Sequence, residues 1–340
     1  MTVPYRVSRV GLLWLGALLA WHEAPAQTLT AEPRPLREPV EQFISYMVAT
    51  HGFERRELQA LFSKVQPSQS VARAIAAPAT AKPWHEFRPL FVDSARIDAG
   101  TRFWNDNAET LARARAAFGV PESVIVSLIG IETRYGRMTG GHKVVEALYT
   151  LAFELQNRPD YFRTELEQFL LLAREQQWDP LSITGSYAGA MGLPQFMPSS
   201  YRRFAVDFDG NGRIDLWRDL ADVIGSVANY LRLFGWQDGE PIVAPARVDS
   251  SDLQALLDLG PRPSLNLDQW RMRGVEEMSG LEGGLNASLF QLELVGGREF
   301  WLGFDNFYAL FQYNRSRNYV MAVYDLAQEI TRERHRLAAK

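Results

Sequence analysis

The type and position of Glu132 indicate acid–base chemistry. It lies near the end of an apolar stretch at 120–136 that opens with a proline and closes with a glycine, as many helices do. Three aliphatic residues precede it by seven, four and three positions and share its helical face: Ile125, Leu128 and Ile129. Burial beside them would raise the carboxyl pKa, so that Glu132 could donate a proton near neutral pH. We predict an amphipathic helix carrying a general acid; the alternative is a structural Glu132 paired with Arg134 or Arg137.

A second group of residues could hold a metal ion. Residues 207–215, Asp-Phe-Asp-Gly-Asn-Gly-Arg-Ile-Asp, match the first nine positions of an EF-hand loop. This match predicts calcium ligands from the side chains of Asp207, Asp209 and Asn211 and from the backbone carbonyl of Arg213. Position 12 is an arginine, so the last carboxylate must come from Asp219 or Asp222, and we favour Asp222. An Asp/Gly-rich turn without metal is the alternative.

The segment 182–200 is rich in glycine and proline and contains neither an acid nor a base. Its glycines permit a tightly folded backbone, while Ser186, Tyr187 and Gln195 offer hydroxyl, amide and aromatic groups. Such a surface suits a polyhydroxylated substrate. An ordinary surface loop is the alternative.

The 340-residue chain has the composition of a globular protein, contains no cysteine and carries a formal charge of −4. Two arginines, an apolar run at 10–21 and Ala-Pro-Ala at 24–26 predict a secretory signal peptide. Its removal would change the charge to −5, because it contains Arg6, Arg9 and Glu23. We predict an exported protein of the bacterial periplasm without a lipid anchor. We expect no nucleic-acid partner, no membrane span and no organic cofactor.

Apolar spacing at the helical period recurs through most of the chain, so the predicted fold is mainly α with a small β part. An aromatic-rich lead-in at 84–104 precedes a long helix that ends at 118. Between 241 and 297 the helical period is lost, and alternation at 242–248 and 287–295 predicts strands, with a possible extension at 300–304.

Several motifs together resemble the bacterial lytic murein transglycosylases of the B type. They are Gly-Ile-Glu-Thr-Arg-Tyr-Gly at 130–136, the segment 185–200, the loop from Asp207, Gly-Ser-Val-Ala-Asn-Tyr at 225–230, and Tyr313-Asn314. The resemblance covers about residues 35–335. Small departures are a tyrosine at 135 where the family often has tryptophan, Leu-Pro at 193–194, and the absence of a lipidated cysteine.

The resemblance implies a lysozyme-like helical core, with Glu132 as the acid/base and a structural calcium ion in the loop at 207–222. It implies that the substrate-binding residues are Ser186, Gln195, Tyr230 and Tyr313, with Tyr187 and Asn314 as further candidates. It also implies peptidoglycan strands as substrate and other cell-wall enzymes as partners. The expected domains are a signal peptide at 1–26, a helical N-terminal subdomain at 27–104, a catalytic core at 105–240 and 299–340, and an inserted β subdomain at 241–298.

The expected reaction cleaves the β-1,4 bond between N-acetylmuramic acid and N-acetylglucosamine. Most glycosidases use a second carboxylate, which the segment 181–201 lacks. The expected product is therefore a 1,6-anhydro sugar, formed when the C6 hydroxyl attacks C1. An acid distant in sequence could still fold into the cleft. The rival functions are a hydrolytic muramidase and a non-catalytic, calcium-stabilised glycan-binding module.

Overall fold

Helices make up most of the structure. The computed structural model describes residues 36–76, 82–281 and 283–339, so the predicted signal peptide lies outside the described residues. The helices are α1 (Glu38–His51), α2 (Arg55–Phe62), α3 (Gln69–Ala76), α4 (Trp84–Phe91), α5 (Ser94–Asp106), α6 (Ala108–Phe118), α7 (Glu122–Thr133), α8 (Val144–Phe153), α9 (Pro159–Glu175), α10 (Pro198–Phe204), α11 (Leu220–Leu233), α12 (Leu253–Leu257), α13 (Leu267–Arg271), α14 (Asp305–Tyr313) and α15 (Arg317–Ala338). The strands are β1 (His142–Lys143), β2 (Thr184–Gly185), β3 (Val243–Val248), β4 (Leu265–Asn266), β5 (Val275–Glu277), β6 (Asn286–Leu294) and β7 (Gly297–Gly303).

Capping residues explain where helices α1 and α11 end and begin. Helix α1 ends at His51 and is capped by Gly52, which has φ 65° and donates its backbone N–H to the carbonyl of Val48 at 3.1 Å. Glycine adopts this left-handed conformation without a steric penalty. Helix α11 begins after Asp219, whose carboxylate accepts hydrogen bonds from the backbone N–H groups of Ala221 and Asp222. Such a cap is worth about 0.5–2 kcal/mol.

The helix predicted to end at Phe118 is confirmed as α6, but the aromatic lead-in at 84–104 is itself helical and forms α4 and α5. Asn107 separates α5 from α6. Its side-chain Nδ2 donates to the carbonyl of Phe103 at 2.8 Å, and its backbone has φ −119° and ψ 23°, outside the helical region. Asparagine often interrupts helices by bonding locally to the backbone in this way.

Helix α7 differs from the predicted amphipathic helix in two respects. Every residue at 124–131 is buried, so α7 is a core helix that is buried on all sides and predominantly apolar. It also ends at Thr133 rather than at Gly136, because Arg134 and Tyr135 have φ 50° and 59°. The Tyr135 ring folds back onto α7, and its hydroxyl donates to the carbonyl of Arg96 at 3.1 Å. A Cβ at Gly130 would lie 2.4 Å from that hydroxyl, so this close approach requires glycine.

The sheet has five antiparallel strands in the order β4-β6-β7-β3-β5. The predicted strands at 242–248 and 287–295 are confirmed as β3 and β6, and β7 contains most of the suggested extension at 300–304. Helices α12 and α13, which were not predicted, pack on one face of the sheet. The core there includes Trp270, which is fully buried and donates its indole N–H to the carbonyl of Ala287 at 3.1 Å.

The described chain divides into two compact units. The sheet unit contains Pro83–His85 and Glu240–Met321, and the helical unit contains the other described residues. The domain boundaries given above stay a prediction. Within the described residues no single helix has both the length and the apolar composition to cross a membrane; the bent pair α6 and α7 passes that test only when the two are joined.

Candidate active site

Glu132 is the second-last residue of α7 and is partly exposed, whereas Ile125, Leu128 and Ile129 on the same helix are fully buried. The carboxylate therefore lies where the buried helix reaches the surface. The chain then turns sharply through the left-handed residues Arg134 and Tyr135. This position gives a carboxyl group apolar neighbours along its helix together with access to a substrate.

The segment 182–200 is attached to the chain that follows Glu132. Strand β2 pairs with β1, with His142 opposite Gly185. The buried Thr133 donates its hydroxyl to the carbonyl of Leu193 at 3.0 Å, and Gln195 donates its Nε2 to the carbonyl of Thr139 at 3.1 Å. These contacts bring the neutral segment and the end of α7 together. The importance of Thr133 was not recognised from the sequence, although it adjoins Glu132.

Ser186 organises the backbone of this segment. Its Oγ accepts hydrogen bonds from the backbone N–H groups of Ala188 at 3.2 Å and Ala190 at 3.0 Å. The hydroxyl proton is still available for donation, and Ser186 is partly exposed. Tyr187 is also partly exposed, and burial raises its pKa, so its phenol is a hydrogen-bond donor at neutral pH.

Gln195 has φ 52°, a left-handed conformation that non-glycine residues seldom adopt. Its Nε2 donates to the carbonyls of Gly192 at 2.8 Å and Thr139 at 3.1 Å, so both amide protons are used. The side-chain oxygen is an acceptor, and the residue is partly exposed. A strained backbone that orients a polar side chain is typical of functional sites.

Tyr230 and Tyr313, two of the predicted substrate-binding residues, are both buried in the structure. Tyr230 is 0% exposed and packs in an aromatic cluster with Phe196, Phe204 and Phe234, with ring centroids 4.6–5.5 Å apart. Tyr313 is 3% exposed. It belongs to the sheet unit, as does the partly buried Asn314. Both tyrosines are as buried as core residues. The sequence alone does not reveal this burial, because a neutral side chain with a hydroxyl group can lie in the core or at the surface.

A carboxylate does reach the neutral segment from a distant helix. Glu165 on α9 is 2% exposed and accepts hydrogen bonds from the backbone N–H of Ser199 at 2.9 Å and from its hydroxyl at 2.7 Å. Burial raises its pKa, and the hydrogen bonds from Ser199 partly oppose this rise. Because Glu165 is buried and bonded to the start of α10, its role there is structural. Its position between the buried Phe162 and Phe169 was a sequence signal that we missed.

Carboxylates of the predicted metal loop do lie together. Ligand oxygens of Asp207, Asp209 and Asp222 are all within 4.8 Å of one another. Calcium–oxygen distances of about 2.3–2.6 Å allow such separations between ligands of one ion. Asp222 is fully buried and accepts hydrogen bonds from the backbone N–H groups of Phe208 and Asp215, both at 2.8 Å. Burial raises its pKa, whereas a bound cation would favour its ionised form.

Two further residues of the loop show how a cation would change it. Asn211 directs its Nδ2 to Asp209 at 3.0 Å and to Asp219 at 3.3 Å. Rotation of this amide by about 180° would direct the oxygen to the same place, and amide orientation depends on its partners. Asp219 caps α11 and is not a member of the carboxylate group, in agreement with the choice of Asp222. The donor set is entirely oxygen, which fits calcium.

The fold, together with a glutamic acid at the surface end of a core helix, is that of a lysozyme-like, glycan-cleaving enzyme. The profile of the family described as "Transglycosylase SLT domain" matches residues 36–328. The membrane-bound lytic murein transglycosylase B of Escherichia coli is 41% identical over 300 residues, which are 85% of this chain and 82% of that protein.

Solved structures agree. The soluble lytic transglycosylase SltB1 of Pseudomonas aeruginosa is 49% identical, with a TM-score of 0.81 over 87% of this chain and 99% of that one. The E. coli transglycosylase Slt35 in complex with calcium is 39% identical, with a TM-score of 0.78 over 87% and 94%. P. aeruginosa SltB3 in complex with NAG-anhNAM-pentapeptide is 30% identical, with a TM-score of 0.73 over 86% and 79%. The chain belongs to the transglycosylase SLT domain family and is a lytic murein transglycosylase.

Proposed function

We propose that the protein cleaves the β-1,4 bond between N-acetylmuramic acid and N-acetylglucosamine of peptidoglycan and that Glu132 is its acid/base. The observation that carries this proposal is the position of Glu132 at the surface end of a buried helix, next to a neutral, hydroxyl-rich segment. Glu132 donates its proton to the leaving oxygen and thus avoids expulsion of an alkoxide.

The second half of the reaction uses the substrate's own groups. The acetamido oxygen stabilises C1, and the ionised Glu132 accepts the proton of the C6 hydroxyl as that oxygen attacks C1. The new C1–O6 bond gives a 1,6-anhydromuramic acid end. The 2% exposure of Glu165 supports this route, because a buried carboxylate cannot act as nucleophile or activate water in a cleft. The complex of SltB3 with an anhNAM ligand also supports it.

The substitution Glu132→Gln tests the assignment. It retains the side-chain shape and removes the proton, so turnover of purified peptidoglycan should fall about 10²–10⁴-fold while binding to sacculi persists. Glu122→Gln is the matched control, because Glu122 lies on the same helix but pairs with Arg115 at 3.1 Å. A Glu132→Gln variant that retains a tenth of wild-type turnover would refute the assignment.

We propose that the partly exposed side chains of Ser186, Tyr187 and Gln195 contact N-acetyl groups or sugar hydroxyls. The phenol of Tyr187 is a donor, the oxygen of Gln195 is an acceptor, and the Ser186 hydroxyl offers a proton. Asn314 is a further candidate in the sheet unit. Tyr230 and Tyr313 stay predicted substrate-binding residues, and their burial supports a packing role as the alternative.

We also propose that Asp207, Asp209, Asn211 and Asp222, with the carbonyl of Arg213, bind a structural calcium ion. The spacing of the carboxylates and the calcium complex of Slt35 support this. When bound, the ion would supply charge neutralisation for three clustered carboxylates.

The cellular location is likewise a proposal. The N-terminal sequence supports export to the periplasm by a signal peptide at 1–26, with peptidoglycan strands as the substrate and other cell-wall enzymes as partners. We also propose a catalytic core at 105–240 and 299–340; the division between the two compact units at Gly239 supports the boundary at 240.

A further inference from the structure

A cavity of about 480 Å³ lies between α1 and α9, in the helical unit. It is not at Glu132. Phe43 and Tyr46 of α1 contribute aromatic surface, and Tyr46 is 44% exposed. Arg163, Thr164 and Glu167 of α9 contribute a cation, a hydroxyl and a carboxylate. Pockets that combine apolar surface with a few oriented polar groups are typical of ligand sites.

The carboxylate of Glu167 is held in place from α1. Its Oε1 accepts a hydrogen bond from the Tyr46 hydroxyl at 3.2 Å and is 2.8 Å from Nε2 of His51. The His51 and Tyr46 rings are themselves in edge contact, with centroids 5.7 Å apart. The Glu167 side chain is only 15% exposed. Its second carboxylate oxygen is thus a fixed acceptor on the wall of the cavity.

Arg163 lies one helical turn before Glu167, on the same wall. Oppositely charged residues at this spacing have Cβ atoms roughly 5–6 Å apart and commonly pair. Here Arg163 instead donates NH1 to Asp160, which is 91% exposed, so this pair contributes little. The guanidinium packs against the Phe153 ring at 5.7 Å, and its buried Nε has no hydrogen-bond partner among the described residues. In the described part of the chain, the cavity is thus lined by a guanidinium and a carboxylate that do not pair with each other.

We infer that this cavity is a second saccharide-binding site, specific for an N-acetylated glucosamine unit of the glycan strand. The acetamido carbonyl accepts from Arg163, a ring hydroxyl donates to Glu167, and the apolar face of the pyranose packs on Tyr46. A pyranose has donors, acceptors and an apolar face at these separations, whereas a purely apolar ligand would leave Arg163 and Glu167 unsatisfied. The inference rests on the proposed function for the identity of the sugar, but not on the role of Glu132.

Such a site would hold a strand away from the cleaved bond. A second point of attachment raises the effective concentration of the strand at the active site without any new catalytic contact. This arrangement suits an enzyme whose substrate is a polymer, because the product end can remain bound after a cleavage.

Calorimetric titration of the Glu132→Gln protein with the β-1,4 tetramer of N-acetylglucosamine tests the inference. Two binding sites are expected per chain. Arg163→Gln and, separately, Tyr46→Ala should weaken one of them at least about tenfold, since each removes a principal contact. Arg115→Gln, an exposed arginine paired with Glu122, is the matched control and should leave both sites intact. Tyr46→Ala changes a ring that is 44% exposed, so folding should be retained.

A single site in the Glu132→Gln protein, or two sites that neither cavity variant affects, would overturn the inference. These outcomes are independent of the proposed function, because turnover of peptidoglycan by the wild-type protein is measured separately. A wild-type protein that cleaves peptidoglycan but binds the tetramer at one site retains the function and loses the second site.

Discussion

Glu165 shows how one buried carboxyl can make stability depend on pH. Burial raises its pKa in the folded state, despite the two hydrogen bonds from Ser199. The folded protein therefore favours the protonated form. Its contribution to the free energy of unfolding is fully present below the ordinary pKa of a glutamic acid and is lost as the pH rises through the raised folded pKa.

The substitution Glu165→Gln removes this titration. The wild-type free energy of unfolding, relative to that of Glu165→Gln, should be more favourable at pH 4 than at pH 7. Urea unfolding at the two pH values measures the difference, with the exposed Glu109→Gln as control. If the wild type and Glu165→Gln show the same pH dependence, the raised pKa is contradicted. Glu165→Ala should cost about 1–3 kcal/mol, because Ser199 loses its acceptor.

At the scale of single residues, the sequence indicated some of the candidate site residues but not how deeply each is buried. The rule that selected Glu132, an acid on an apolar helical face, also applies to Glu165, which lies three positions after Phe162 and four before Phe169. Only the structure distinguishes the two residues: Glu132 lies at a helix end and is partly exposed, whereas Glu165 is 2% exposed. Burial of Tyr230 could not be predicted, because two of its aromatic neighbours, Phe196 and Phe204, lie outside its own helix.

At the scale of elements, Thr133 is the connection between α7 and the segment that carries Gln195. Thr133→Val retains the shape of this buried residue and removes the hydroxyl that donates to Leu193 and accepts from the backbone N–H of Gly136 at 3.1 Å. We expect a loss of about 1–3 kcal/mol in the free energy of unfolding. We also expect a lower kcat at temperatures where the protein stays folded, because the segment is no longer fixed relative to Glu132.

Thr133→Ser is the control, since it keeps the hydroxyl. Urea unfolding and turnover of peptidoglycan are the two measurements. A Thr133→Val protein that is less stable but turns over substrate at the wild-type rate would show that the connection serves stability alone.

The metal loop predicts a calcium-dependent stability. If calcium binds the folded state alone, free calcium at a hundred times its dissociation constant should stabilise the protein by about 2.7 kcal/mol. The melting temperature should therefore rise with calcium, and Asp207→Ala should abolish the rise. Asp268→Ala, at an exposed aspartate of the sheet unit, should not. Identical wild-type melting curves with calcium and with a chelator would argue against the site.

Elements defined by contiguous sequence were the most predictable. Strands β3 and β6 depend on residues close together in the chain, and their patterns indicated them correctly. The loop from Asp207 also brings its carboxylates together, while calcium binding there stays a prediction. The end of α7 does not depend on local sequence alone. It is set by Tyr135 packing across Gly130 and bonding to Arg96, a contact that joins separate helices.

At the scale of the whole molecule, the products of the reaction distinguish a transglycosylase from a hydrolase. A tethered C6 hydroxyl can reach effective molarities of ~10⁵ M or above, so it should outcompete water. Digestion of peptidoglycan in ¹⁸O-labelled water should release muropeptides about one water lighter than hydrolysis products, with no label, by mass spectrometry. Labelled reducing ends as the main product would instead indicate a hydrolytic muramidase.

Helix α15 has a consequence for the order in which the protein folds. It supplies Asp325 to Arg88 of α4 at 2.6 Å, and its Arg334 lies over Trp104 of α5, 4.6 Å from the ring centroid. These partners are more than 200 positions apart in sequence, so their contact requires closure of a very long loop. The strands of the sheet unit, in contrast, all lie within Glu240–Met321 and can pair with one another before α15 is complete. A nascent chain that stops before Asp325 can thus form its sheet. The apolar side of α5 stays uncovered until the last helix is present.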